Sequence, residues 1–318
     1  MSMDHVIRSS SLPDGGILQS LSTFLYRRRA VLVLLLLLPP LLWFGIVYAG
    51  SLFVLLLQSF YTLDEFSGQV LPELSLATYG TLFSTPANLD IILRTVAMAA
   101  SVTIASVAIA YPIAYYMARY ATGKMRALLY LGVMLPLWSS YLVRVYAWRL
   151  ILAKEGIMSW VFAQLHLSWL LDGLLSLPVI GGPALSTSYF GMFMVFTYVW
   201  LPYMILPILA SLERVPENLL QASSDLGATP RQTFIKILLP LSLPGIVAGS
   251  IFTFSLTLGD YIIPGIVGAP GYFIGQMVYV QQGTAGNIPL AAAFSVVPII
   301  LISVYLAVAK RMGAFDAL

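Results

Sequence analysis

The chain has 318 residues, of which 59% are hydrophobic and only 9% charged. That balance excludes an ordinary soluble domain and reads as a polytopic membrane protein. Without cysteine there are no disulfides, thiol nucleophiles or Cys-based metal sites, and the net charge of +3 is not gathered into a nucleic-acid surface.

In chain order, residues 1–26 are polar, with Ser9-Ser10-Ser11, Pro13, Gly15 and Gly16, and read as a tail. Arg27-Arg28-Arg29 then abuts an uncharged tract from Ala30 to Leu63. A signal peptide shares this layout, but its apolar core runs only about 7–15 residues. The tract is therefore an uncleaved first span, about 31–58, with Pro39-Pro40 as a kink that neighbouring helices can tolerate. Further spans are predicted at about 92–118, 127–150, 189–212, 244–266 and 290–309. Each is near the ~20 residues that cross the hydrocarbon. The fold class is thus an all-α membrane protein with six transmembrane helices.

Lys and Arg set the orientation. With the amino terminus inside, 12 of the 16 basic residues fall on the cytoplasmic side. They are Arg8, Arg27–Arg29, Arg119, Lys124, Arg126, Arg214, Arg231, Lys236, Lys310 and Arg311. The outer loop 62–90 holds Asp64, Glu65, Glu73 and Asp90 without a base, and loop 267–289 has no charge. Both termini are therefore expected in the cytoplasm.

Little in the chain can carry reaction chemistry. The two histidines, His5 and His166, lie far apart, and no metalloprotease, nucleophile-elbow or paired-carboxylate pattern occurs. Gly123-Lys124 is not a phosphate loop, since Met125 stands where Ser or Thr is required. No cofactor is expected, and any ATP must be hydrolysed elsewhere. Asp260 lies near the outer end of the fifth span, where an acid is expensive. One reading makes it a cation attractor, with Tyr261 and Trp200 or Tyr203 supplying ring faces. The other makes it a helix-end carboxylate paired to Arg144 or Arg149, or wetted at the interface. Arg144 and Arg149 either line an anion path or snorkel outward beside Tyr146 and Trp148. Arg94 has the same two readings.

Between the fourth and fifth spans the chain turns polar over residues 213–243. Pro216 and Glu217 suit a helix start, and Leu219, Ala222, Ser223 and Leu226 share one face. Gly227 stands where a left-handed cap is wanted. Thr229, Pro230 and Gln232 then form an N-cap, a first-turn proline and a capping box. Phe234, Ile237 and Leu238 make a second apolar face, with Pro240 and Pro244 expected to end it. A helical knuckle between membrane spans suggests a docking element.

This knuckle resembles the EAA motif of binding-protein-dependent ABC import permeases: E-A-A, three residues, G, nine residues, then I-x-L-P. Here the pattern is Gln221-Ala222-Ser223, three residues that include Asp225, then Gly227, nine residues, and Ile237-Leu238-Leu239-Pro240. Gln221 replaces Glu and Ser223 replaces Ala, so a Glu-specific salt bridge is lost. The resemblance spans about residues 27–312 and is strongest to the spermidine/putrescine-type permeases, through residues 142–149, 259–264 with Gly268, and 288–293. It implies a type I permease domain in a bacterial inner membrane, with the knuckle as a coupling helix seated on a separate cytoplasmic ATPase that holds ATP and Mg. It further implies a second homologous permease and a periplasmic or lipid-anchored binding protein, with membrane lipid around them. The implied cargo is a polyamine or related cation; an opine, an amino-acid-like compound or an anion is the alternative. An ion-coupled secondary transporter is the rival class, and Asp260 is its only intramembrane acid.

Overall fold

The computed structural model describes residues 28–64 and 66–311 together with Tyr26; apart from that residue, the predicted tail lies outside them. The chain divides into two compact units, residues 1–57 and 58–318. The described part of the first is one long apolar helix. It runs as α1 (Arg29–Leu42), a π-helical stretch (Trp43–Ala49) and α2 (Gly50–Gln58). Pro39 and Pro40 sit inside α1, and the wider π turns follow directly.

The second unit opens with a hairpin, β1 (Thr62–Leu63) against β2 (Val70–Leu71), antiparallel with Thr62 opposite Leu71. Helices α3 (Ala77–Ser84) and α4 (Pro86–Arg119) follow. Then come α5 (Gly123–Trp138), α6 (Tyr141–Ile151), α7 (Ile157–Gln164) and α8 (Ser168–Leu175). Helix α9 (Tyr189–Arg214) is the centre of the unit. Its first half packs Phe196 and Val199 against Val102, Val145 and Ile263. Its second half packs Met204 and Ile208 against Ala114 and Met117 of α4. After it come α10 (Glu217–Asp225), α11 (Pro230–Thr233), α12 (Leu239–Gly259), α13 (Ile262–Ile266), α14 (Ile274–Gly283) and α15 (Ile288–Arg311).

Helices α9 and α12 approach closely because Gly245 and Gly249 face the contact. A Cβ at Gly245 would strike the Pro207 carbonyl, and one at Gly249 would lie 2.8 Å from the Met204 sulfur. This is the small-xxx-small device of membrane helix pairs, which trades side-chain volume for backbone proximity.

Five helical stretches among the described residues are long and apolar enough to cross a membrane, or six when α5 and α6 count as one broken span. Two sequence expectations need correction. The region 127–150 is not a straight helix: it bends by 99° between α5 and α6. Pro136 and Ser139-Ser140 are the local cause, since Ser139 adopts extended backbone between α5 and α6. Nor do Pro240 and Pro244 stop the helix after the knuckle. Phe234–Leu238 widens into π turns and the chain runs on as α12, so the apolar helix spans Pro230–Gly259. For Pro240 the widened turns relieve the clash its ring would make with the Lys236 carbonyl four residues back.

Candidate functional site

Two places stand out, the knuckle and a pair of cavities along α9 and α12. In the knuckle, α10 ends at Asp225 and Gly227 takes φ +75°. The Gly227 amide donates to Ser224 O at 2.9 Å and the Ala228 amide to Ser223 O at 3.0 Å. These two bonds form a Schellman cap, which needs the left-handed residue that glycine supplies. Thr229 then caps α11: its Oγ1 accepts from the Gln232 amide at 3.4 Å, and Gln232 Oε1 accepts from the Thr229 amide at 2.8 Å. Ser223, buried where the motif calls for Ala, bonds Thr233 Oγ1 at 2.7 Å and staples α10 to α11.

The apolar stripe of α10 points outward. Leu219 is 42% exposed and Leu226 88%, with Ala222, Gln221 and Asp225 exposed beside them. Inward, Leu220 and Phe234 pack on the core under α9, Ile237 is half-buried, and Pro240, in the first turn of α12, is exposed. The knuckle's root is held by Arg119, whose guanidinium donates to Leu212 O at 2.8 Å and Val215 O at 2.9 Å. Those carbonyls belong to the orphan acceptors at a helix end, so a cation from another helix suits them. Glu213 at the same root accepts from Arg126 and from Tyr130 Oη, both at 2.6 Å. Arg119→Gln removes two charged hydrogen bonds worth roughly 1.5–3 kcal/mol each. Proteolysis within 213–240 by limited trypsin or chymotrypsin is therefore expected to speed up by about tenfold or more, with Arg119→Lys intermediate.

The second place is built on two facing stripes. Trp200, Tyr203, Pro207, Ala210 and Arg214 share one face of α9, and Leu241, Gly245, Ala248, Ser255 and Gly259 share one face of α12. A cavity of about 310 Å³ opens between the Trp200 and Gly259 ends of the stripes, lined by Tyr141, Trp200, Ser255, Asp260 and Tyr261. Another of about 350 Å³ lies between their Arg214 and Leu241 ends, with Ser211, Arg214 and Gly245 in its wall. Asp260 terminates α12 and caps α13: its Oδ1 accepts from the Ile262 amide at 2.7 Å and the Ile263 amide at 2.9 Å. Its Oδ2 accepts from the Tyr141 hydroxyl. A carboxylate offers about four acceptor positions, so three are taken and one is open.

The rings around it are ordered. Tyr141 stacks on Trp200 at 5.7 Å, Trp200 meets Tyr203 edge-on at 5.8 Å, and Tyr261 stacks on Tyr279 at 5.1 Å. The indole N–H of Trp200 is buried without an acceptor among the described residues. The expected pairing of Asp260 with Arg144 or Arg149 is not among the ion pairs of the described residues, which are Arg94–Asp90 and Arg126–Glu213. Arg149 is exposed, whereas Arg144 is half-buried with Nε and Nη1 unbonded. Tyr141 was not anticipated as a partner of Asp260. Its signal was the Ser139-Ser140 break, which turns α6 so that its first residue meets the α12–α13 corner.

Residues 110–314 match the family of binding-protein-dependent transport system inner membrane components. The chain belongs to this family. It is 60% identical over 314 residues to the inner membrane ABC transporter permease protein YdcU of Escherichia coli (strain K12), covering 99% of each chain. It is 31% identical over 254 residues to the spermidine/putrescine transport system permease protein PotB of the same organism, covering 80% of this chain and 87% of the relative. A permease from a bacterial ABC transporter that imports the acidic polysaccharide alginate superposes with a TM-score of 0.66 at 17% identity, over 92% of this chain and 99% of that one. The fold is accordingly that of a type I ABC import permease. The protein is a multi-pass inner membrane permease subunit of an ABC importer, and ATP hydrolysis belongs to a separate subunit.

Proposed function

We propose that this permease contributes half of an import path for polyamines or closely related organic cations. The observation that carries the reading is the cavity that Asp260 lines together with the rings of Tyr141, Trp200 and Tyr261, where the carboxylate accepts three hydrogen bonds among the described residues. A carboxylate ringed by aromatic faces suits an ammonium group, which gains from both charge and ring quadrupole. The spermidine/putrescine function named for a relative 31% identical supports the same class. The stripes of α9 and α12 lead from this cavity to the knuckle, so a cation handed in beside Asp260 would pass Tyr203 and Ala210 towards Arg214.

The partners follow from the same reading. The outward apolar stripe Leu219, Ala222 and Leu226 is the face that seats on a cytoplasmic ATP-binding subunit, since exposed clustered apolar side chains mark interaction sites. A second, homologous permease completes the path, and a periplasmic or lipid-anchored binding protein delivers the cargo. Both termini and the knuckle lie on the cytoplasmic side, as the basic residues indicate. ATP binding draws the paired knuckles together and opens the path outward; hydrolysis resets it.

The unbonded Nε and Nη1 of Arg144 favour a second reading, in which the cargo carries a carboxylate or other anionic group. Proteoliposomes holding the full complex decide between them. ATP-dependent uptake of putrescine or spermidine is the expected result. Uptake of an opine or sulfate with no polyamine transport would overturn the cation assignment and leave the importer intact. Uptake driven by an ion gradient without ATP would overturn both.

A further inference from the structure

A third cavity, of about 610 Å³, lies between α4 and α9, away from the stripes just described. Its walls are Leu93, Ala97, Met98, Ile180, Phe190 and Phe193. Only one end carries charge, where Asp90 and Arg94 form an i,i+4 ion pair. The Arg94 guanidinium also lies 5.4 Å from the centre of the Tyr189 ring.

The groove has the length of one leaflet. From Asp90 to Ser101 along α4 is about 16 Å at the usual helical rise. That is about half of the ~30 Å hydrocarbon core. Charge thus sits at one end of a leaflet-deep apolar slot, on a helix long enough to span the membrane.

We propose that this groove holds one phosphatidylethanolamine molecule, with an acyl chain along α4 and α9 and its headgroup across Asp90 and Arg94. The headgroup phosphate accepts from the Arg94 N–H groups not engaged with Asp90, and the primary ammonium donates to the Asp90 carboxylate, whose side chain is 60% exposed. A net-neutral acid–base pair complements a zwitterion and gives no net attraction to an anionic lipid. Choline, which lacks N–H donors, cannot make the second contact.

Two measurements on the assembled transporter test this. With a benzophenone side chain in place of Leu93, which is 68% exposed, irradiation in native membranes is expected to give a lipid-mass adduct. A chain-to-chain product would show that a second permease or another helix covers the groove, and overturns the proposal. In nanodiscs of mixed phosphatidylethanolamine, phosphatidylcholine and phosphatidylglycerol, the purified complex is expected to retain phosphatidylethanolamine selectively. The double variant Asp90→Asn, Arg94→Gln is expected to lower that selectivity by about two- to fivefold, the worth of a partly exposed charge contact. Selectivity absent from the parent complex, or unchanged in the variant, overturns the assignment. A loss shared equally by all three lipids does so too.

Discussion

Gly227→Asp is expected to leave the permease inserted and assembled but to lower ATP-driven uptake by at least tenfold. Glycine holds φ +75° there, and a Cβ at the position would meet nothing within 4 Å. The substitution therefore leaves core packing alone and acts through the backbone. A left-handed L-residue costs about 1–2 kcal/mol. Setting a carboxylate against the negative end of α10 adds roughly 0.3–1 kcal/mol. Both fall on the Schellman bonds to Ser224 O and Ser223 O, which fix where Leu226 projects. With ~1.4 kcal/mol per factor of ten, the corner's native geometry becomes at least tenfold less favoured.

The membrane helices have no such exposure to the change, because α9 and α12 are held by Gly245, Gly249 and the core around Met204. Hydrolysis by the ATPase should consequently persist while losing its dependence on cargo. Gly227→Ala, which keeps the backbone strain but adds no charge, should fall between the two. Wild-type uptake by Gly227→Asp would remove the docking role from this corner.

What could be read from the residues depended on whether the signal was local. The Gly227 cap and the Thr229–Gln232 capping box are encoded within six residues, and the structure closes both as the spacing predicts. Apolar runs likewise marked helices, because a membrane leaves the backbone no alternative at that depth. Proline misled where tertiary context decides. Pro240 breaks no helix because the π turns at Phe234–Leu238 take up the strain, helped by the Tyr111 ring packed edge-on against Phe234 at 5.5 Å. The pairings over long sequence separation were not legible at all. Arg119 reaches Leu212 and Val215 across more than ninety residues, and Tyr141 reaches Asp260 across 119. Nothing at either end of such a pair names the other. Ser223 is the instructive case: the motif has Ala there, and the departure supplies the hydroxyl that ties α10 to α11.

Asp260 carries the other large effect, and two substitutions separate its duties. Asp260→Asn keeps an oxygen for the Ile262 and Ile263 amides and places an NH2 that can donate to the Tyr141 hydroxyl oxygen, but removes the charge. If the carboxylate receives an ammonium, the lost charge-assisted bond is worth roughly 1.5–3 kcal/mol. The half-saturating polyamine concentration is then expected to rise by about ten- to a hundredfold, with the protein's thermal stability nearly unchanged. Asp260→Ala removes the cap as well, at roughly 1 kcal/mol, and leaves the Tyr141 hydroxyl without its acceptor. It should lower thermal stability and transport together. Polyamine transport unimpaired in Asp260→Asn but lost in Asp260→Ala would mean that the carboxylate serves only the α12–α13 corner. In that outcome the cation reading fails at this residue, and the unbonded donors of Arg144, beside the same Tyr141, become the next group to remove.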